Sequence, residues 1–313
     1  MVRIAIRIFC RKIIINKPAY LKESGPLLLA CNHPNSFLDG VILDTLFEQP
    51  VYALARGDAF KNSFYAGLLA SLKLLPVYRT SEGVENLGEN YKTFDSCIAI
   101  FKKNGIVQIF SEGKCINEWR LRALKKGTAR LAIASWDENI PLRVLPVGIN
   151  YSSFRSFGKN VFINLGEIIE KKDIDMSQGD GLRHQAFNTL LEQQLKQLVF
   201  DIPKNDIKRK QELLESKSSF ARKIILFIPA MIGFIINAPL YLPIKIFTWS
   251  RTKNNDHYDS VLTALLLFTY PIYLFLIMIT AYLLTKSWLA LLLLFAIPFT
   301  AWSAVQLKSQ VDK

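Results

Sequence analysis

The sequence predicts an α/β layer, a sheet flanked by helices, followed by a helical membrane region. Two observations predict it. Through the first 200 residues, short apolar runs alternate with amphipathic helical patterns, the order that builds a sheet covered by helices. Residues 219–313 then hold three long apolar stretches and carry eight Lys/Arg against three Asp/Glu. At 313 residues the chain has room for two domains of roughly 150 residues each. No internal repeat or low-complexity tract interrupts the pattern.

The N-terminus mixes apolar Val2, Ile4, Ile6, Ile8, Phe9 and Ile13–Ile15 with basic Arg3, Arg7, Arg11 and Lys12. The arginines recur every four residues, which places them on one helical face. The stretch is too short and too charged to span a bilayer, and no small-residue cleavage site follows it. It is expected to form an amphipathic membrane-surface helix over residues 1–20, although the alternation from Val2 to Ile8 also suits a strand. The α/β domain is expected over 21–200. Its strand candidates are Pro26–Cys31, Val51–Arg56, Leu75–Tyr78, Ile106–Phe110, Arg143–Tyr151 and Val161–Leu165. A helix over Val84–Lys103 follows from Tyr91, Phe94, Ile98 and Phe101 at spacings of three and four, and Asn104-Gly105 stops it. Phe187, Leu190, Leu191, Leu195 and Leu198 predict a second helix over 182–200. Residues 201–218 are polar and charged and read as a linker or an exposed helix.

In the membrane region, 219–313, Val261–Leu284 and Trp288–Val305 are each long enough to cross a bilayer, with Lys286 between them. Ile224–Phe247 is as apolar but contains Pro229, Pro239, Pro243 and Asn237. Proline removes a helical hydrogen bond, so this stretch is expected to be broken, entering the membrane and returning to the side it left.

The net charge of +13 fits an anionic membrane surface or a phosphorylated substrate. No basic-aromatic module of a nucleic-acid binder is present, and no nucleic-acid partner is expected. Cys10, Cys31, Cys97 and Cys115 have no metal spacing and are expected to be buried thiols in a reducing compartment. No metal site is expected.

Three apolar runs end in polar groups at the edge where open α/β sheets gather ligands. Asn32-His33-Pro34-Asn35-Ser36-Phe37-Leu38-Asp39 follows Pro26–Cys31. Arg79 follows Leu75-Pro76-Val77-Tyr78. Ser111-Glu112-Gly113-Lys114 follows Ile109-Phe110. Histidine takes a proton near neutral pH, and a carboxylate such as Asp39 can orient it and stabilise its cation. The chain has only three histidines. His184 and His257 are expected at the surface. Ser36 and Asp39 also fit a helix capping box.

Together with Val144-Leu145-Pro146-Val147-Gly148, and in that order, these segments resemble the glycerolipid acyltransferase family, the glycerol-3-phosphate and 1-acylglycerol-3-phosphate acyltransferases. The resemblance covers residues 25–150. Most members carry Asn-His, four residues, then Asp, and a Phe-Pro-Glu-Gly block followed by a small residue and Arg. Here five residues separate His33 from Asp39. The third block reads Phe110-Ser111-Glu112-Gly113-Lys114-Cys115, with Lys114, Arg120, Lys125 and Lys126 near the position of the absent arginine.

The resemblance implies transfer of a fatty acyl group from a thioester to a glycerol-phosphate-type hydroxyl. His33 would be the base and Asp39 its orienting carboxylate. Backbone N–H groups of the Glu112-Gly113 turn would serve the oxyanion. Arg79 would hold the acceptor phosphate, with Arg56 and Lys125 behind it. Glu112 would hold glycerol hydroxyls. No bound cofactor is implied; acyl-CoA or an acyl carrier protein thioester is a co-substrate. The implied partners are this donor, a glycerol phosphate or lysophospholipid acceptor, and the lipid bilayer. The expected location is the inner, cytoplasmic membrane, with the catalytic domain in the cytoplasm. Alternatives consistent with the sequence are acylation of a different lipid acceptor and a non-catalytic membrane lipid-binding protein.

Overall fold

The structure is a computed structural model that describes residues 2–60, 66–67, 69–70, 72–78, 89–217 and 219–311. Among these, seven strands form one sheet: β1 (Cys10–Ile15), β2 (Leu27–Cys31), β3 (Val51–Arg56), β4 (Leu74–Val77), β5 (Ile106–Phe110), β6 (Arg143–Tyr151) and β7 (Lys159–Leu165). Their order across the sheet is β1-β7-β6-β2-β5-β3-β4. Every neighbouring pair is parallel except β6–β7.

Strand β2 lies near the middle and is buried along its whole length. Its side chains alternate between the two faces. Leu27, Leu29 and Cys31 face the core shared with α1 (Val2–Phe9) and α2 (Phe37–Leu46). Leu28 and Ala30 face the core shared with α3 (Glu89–Lys102), α4 (Gly127–Asp137) and α5 (Asp180–Leu198). A strand apolar on both faces is what a sheet sandwiched between helices requires.

One expectation about the soluble part is corrected. The N-terminal helix does not run over 1–20; it ends at Phe9, and residues 10–15 form β1, which pairs with β7. Three successive β-branched isoleucines, Ile13–Ile15, favour the pleated edge over a helix. Of the two readings of residues 201–218, a linker or an exposed helix, the helix holds for 207–214. Within them α6 (Ile207–Leu214) docks through buried Leu214 and Lys210, and the Lys210 ammonium sits 4.3 Å from the centre of the Trp119 ring. The lysine stem lies along apolar surface while its charge meets the ring quadrupole.

The C-terminal region comprises α7 (Phe220–Thr252), α8 (Tyr258–Thr285), and a short 3-10 turn, Trp288–Leu292, that leads into α9 (Leu293–Leu307). The three helical stretches are long and apolar enough to cross a membrane. The expected break in the first is absent: α7 is one helix of 33 residues with all three prolines inside it. Asn237 donates its amide back to the Gly233 carbonyl one turn earlier at 2.8 Å. At Gly233 a Cβ would lie 2.1 Å from the Thr300 carbonyl oxygen, so only glycine lets α7 and α9 approach this closely.

Both ends of α7 nevertheless lie beside the α/β layer. Near its start, Arg222 bonds Gln306 at the end of α9, whose Val305 and Lys308 carbonyls accept Arg11 of β1. Just past its end, the carbonyls of Lys253 and Asn255 accept Arg155.

Candidate active site

The parallel register brings the ends of β2 and β5 together beside the middle of β6. Cys31 of β2 stands opposite Phe110 of β5 on one side and Val147 of β6 on the other. The segments that leave β2 and β5 therefore converge on one edge of the sheet. Asn32 fixes the first of them by exchanging two hydrogen bonds with the Ile149 backbone, donating at 3.0 Å and accepting at 2.7 Å.

His33 follows and is held from several directions. Its N–H donates to Oε2 of Glu112 at 2.9 Å, and its carbonyl accepts the Ile116 N–H at 3.2 Å. Its ring stacks on Phe110, with centroids 3.9 Å apart and planes 12° apart. Its Nδ1 lies 2.9 Å from Oδ2 of Asp39. The five intervening residues do not keep the pair apart. Ser36 takes a left-handed φ of 54° and turns the chain just ahead of α2.

Asp39 is fully buried. A buried carboxylate is tolerated when its oxygens are satisfied. Oδ2 accepts Nδ1 of His33 and the Asn35 N–H at 2.8 Å, and Oδ1 accepts the Tyr151 hydroxyl at 2.7 Å. Burial and the adjacent carboxylate push the Tyr151 phenol well above its ordinary pKa, so it stays protonated and donates. With Nδ1 protonated toward Asp39, Nε2 is the nitrogen that can accept a proton. The capping-box reading is corrected: Ser36 makes no side-chain cap bond.

Glu112 and Gly113 have structural partners that the sequence did not indicate. The two oxygens of Glu112 accept backbone N–H groups, one from His33 and one from Arg122 at 2.8 Å. Glu112 is 4% exposed, and burial raises its pKa against the lowering effect of those two bonds. It ties the His33 segment to the Arg122 segment, a different task from the expected contact with glycerol hydroxyls. The Gly113 N–H donates to the Phe110 carbonyl at 3.0 Å. Its φ of 68° suits glycine, and a Cβ there would sit 3.0 Å from Cγ of Lys125.

Of the expected phosphate ligands, Arg56 ends β3 and pairs with Asp58. Lys125 is exposed and is anchored by its N–H to the Ser111 carbonyl at 2.7 Å. Arg79 lies outside the described residues. Arg120 pairs with Glu118 at 2.5 Å.

Sequence reasoning missed the other side of the site. His257 is exposed, as expected, yet its Nδ1 lies 2.6 Å from Oγ of Ser36. Partial desolvation lowers its pKa. Asn35 donates its side-chain amide to Asp259 at 2.7 Å, and the Ser36 N–H donates to Sγ of Cys115 at 2.9 Å. Burial, with Asp39 nearby, raises the Cys31 and Cys115 thiols, which keeps them protonated. All four cysteines are buried and unpaired with one another. No local pattern marked His257 or Asp259, because both stand more than 200 residues from the loop they touch. Among the described residues no group of three His, Cys, Asp or Glu is placed to hold a metal ion.

The arrangement can take a proton from a hydroxyl at Nε2 of His33 while Asp39 stabilises the resulting cation. Residues 12–150 match the family model described as Acyltransferase. Among solved structures the chain is similar to the 1-acyl-sn-glycerophosphate (LPA) acyltransferase PlsC from Thermotoga maritima. The match has 15% identity and a TM-score of 0.44, over 63% of this chain and 74% of that one. No curated protein matches the chain significantly.

Proposed function

We propose, for a chain that belongs to the acyltransferase family through residues 12–150, that it moves a fatty acyl group from a thioester donor to the hydroxyl of a glycerol-phosphate-type acceptor in phospholipid synthesis. The carrying observation is the 2.9 Å contact between His33 and a fully buried Asp39 at the edge where β2 and β5 end beside β6.

The steps follow from the residues. Nε2 of His33 removes the acceptor's hydroxyl proton as that oxygen attacks the thioester carbonyl. The C–O bond forms, the C–S bond breaks, and the leaving thiolate recovers the proton from the imidazolium. Asp39 stabilises that imidazolium between the two transfers. Stacking on Phe110 limits ring rotation, which keeps Nε2 aimed during both. Arg79, Arg56 and Lys125 are the cations we assign to the acceptor phosphate; arginine's fork matches its oxygens. The alternating basic and apolar N-terminus and the three apolar helices support action at a bilayer. The excess of Lys and Arg flanking α7 and following α9 supports a cytoplasmic catalytic domain.

The test is acyl transfer by the purified full chain, with labelled acyl-CoA and acyl carrier protein thioesters offered against glycerol 3-phosphate and 1-acylglycerol 3-phosphate. The expected result is transfer to one of these acceptors and a loss of about 10²–10⁴-fold in folded His33→Ala. Parent-like turnover in that variant would remove His33 as the base. Transfer only to acceptors lacking a phosphate would reassign the substrate.

A further inference from the structure

We propose that Asp259, in the first turn of α8, is a positioning residue for the His33–Asp39 pair, so that the C-terminal helical region forms part of the active site. The proposal rests on the acyl-transfer reading for its kinetic consequences and on the geometry alone for its contacts.

Asn35 is the link. Its backbone N–H donates to the same oxygen of Asp39 that holds His33, and its side-chain amide donates to Oδ2 of Asp259 at 2.7 Å. That same Asp259 oxygen is paired with the ammonium of Lys159, the first residue of β7. Asn35, Asp259 and Lys159 are all fully buried. A charged pair buried in this way holds its geometry because either partner alone would be left uncompensated. The head of α8 is thus fixed to the sheet, and Asn35 is fixed to the head of α8.

Two more contacts run between the same segments. Oγ of Ser36 meets Nδ1 of His257 at 2.6 Å, and the Leu38 N–H donates to Oγ of Ser260 at 3.3 Å. Three of the four residues from 257 to 260 therefore grip Asn35, Ser36 and Leu38, in the loop that carries the catalytic pair. Ser36 sits at a φ that non-glycine residues avoid, and such a conformation persists only where its surroundings impose it. Residues reached only from α8 and the turn before it supply part of that constraint.

The experiment uses the full chain in detergent, with Asn35→Ala and the double variant Lys159→Met/Asp259→Leu. The double variant removes both charges together, so no buried charge is stranded. Asn35→Ala leaves the ion pair intact and removes only the tether. In both, kcat should fall by at least about tenfold, because a small displacement of a catalytic group is costly. KM for donor and acceptor should stay within about twofold, because no substrate contact is lost. The His33 imidazole N–H proton, assigned by NMR through its absence in His33→Ala, should exchange faster with solvent in both variants.

A folded Asn35→Ala with parent kcat and an unchanged imidazole proton would overturn the proposal, even if its melting temperature fell. If the double variant does not fold, Asn35→Ala decides alone. If the parent itself transfers no acyl group, the acyl-transfer reading fails, and the exchange of the His33 proton still decides whether Asp259 positions it.

Discussion

Tyr151 donates its hydroxyl to Asp39 at 2.7 Å across 112 residues of sequence, from the end of β6 to the first turn of α2. The bond occupies the carboxylate oxygen that does not face His33. The other oxygen meets Nδ1 of His33 and the Asn35 N–H, so both carboxylate oxygens are engaged.

Tyr151→Phe keeps the packing and removes that bond. A hydrogen bond to a buried charged group is worth about 2 kcal/mol, and the unfolding free energy should drop by about that amount in urea titrations. Turnover should fall by about tenfold as Asp39 gains a second orientation. A variant as stable and as active as the parent would show that the Asn35 N–H and the His33 ring alone fix the carboxylate.

Glu112→Ala should act first on stability. Two part-buried N–H groups, of His33 and Arg122, lose their acceptor, at roughly 2–4 kcal/mol for the pair. Chemical denaturation gives the loss, and the assay gives a parallel fall in kcat. A variant of parent stability with a raised KM for the acceptor would return Glu112 to direct substrate binding.

His257 should give the protein an acid-sensitive term. Partial desolvation holds its pKa below the ordinary 6.5, so between the two values the unfolded chain binds the proton and the folded chain does not. That contribution is fully present above the unfolded value and is lost as pH falls through the lower, folded one. The melting temperature of the parent should therefore fall further between about pH 7.5 and about pH 5.5 than that of His257→Asn. Equal falls would mean that His257 titrates alike in both states.

Topology is open to single-cysteine labelling, because the four native cysteines are buried and give little background. Both ends of α7 lie beside the α/β layer, and Lys286 marks the turn after α8. If the catalytic layer faces the cytoplasm, Lys286→Cys should react with an impermeant thiol reagent in intact cells and Lys253→Cys should not. The opposite pattern would place the catalytic layer outside.

Local sequence is enough for the alternation of strands and helices, the three long apolar helices, and the placing of His33 and Asp39 just past one apolar run. Each of these is a local property. Periodicity of two or of 3.6, the length of an apolar run, and a histidine and a carboxylate at the end of one run can all be read within a few dozen residues. Local pattern misled where a second force acted: Ile13–Ile15 joined the sheet because β7 offered a partner, and α7 stayed continuous through its prolines because it packs against α9. The Tyr151–Asp39 bond, the Glu112–His33 bond, and the reach of His257 and Asp259 to the loop ahead of α2 come from the tertiary fold. Those contacts join residues 79 to 224 positions apart. Only the packing of strand ends and helix ends into one sheet edge brings such residues within hydrogen-bond distance.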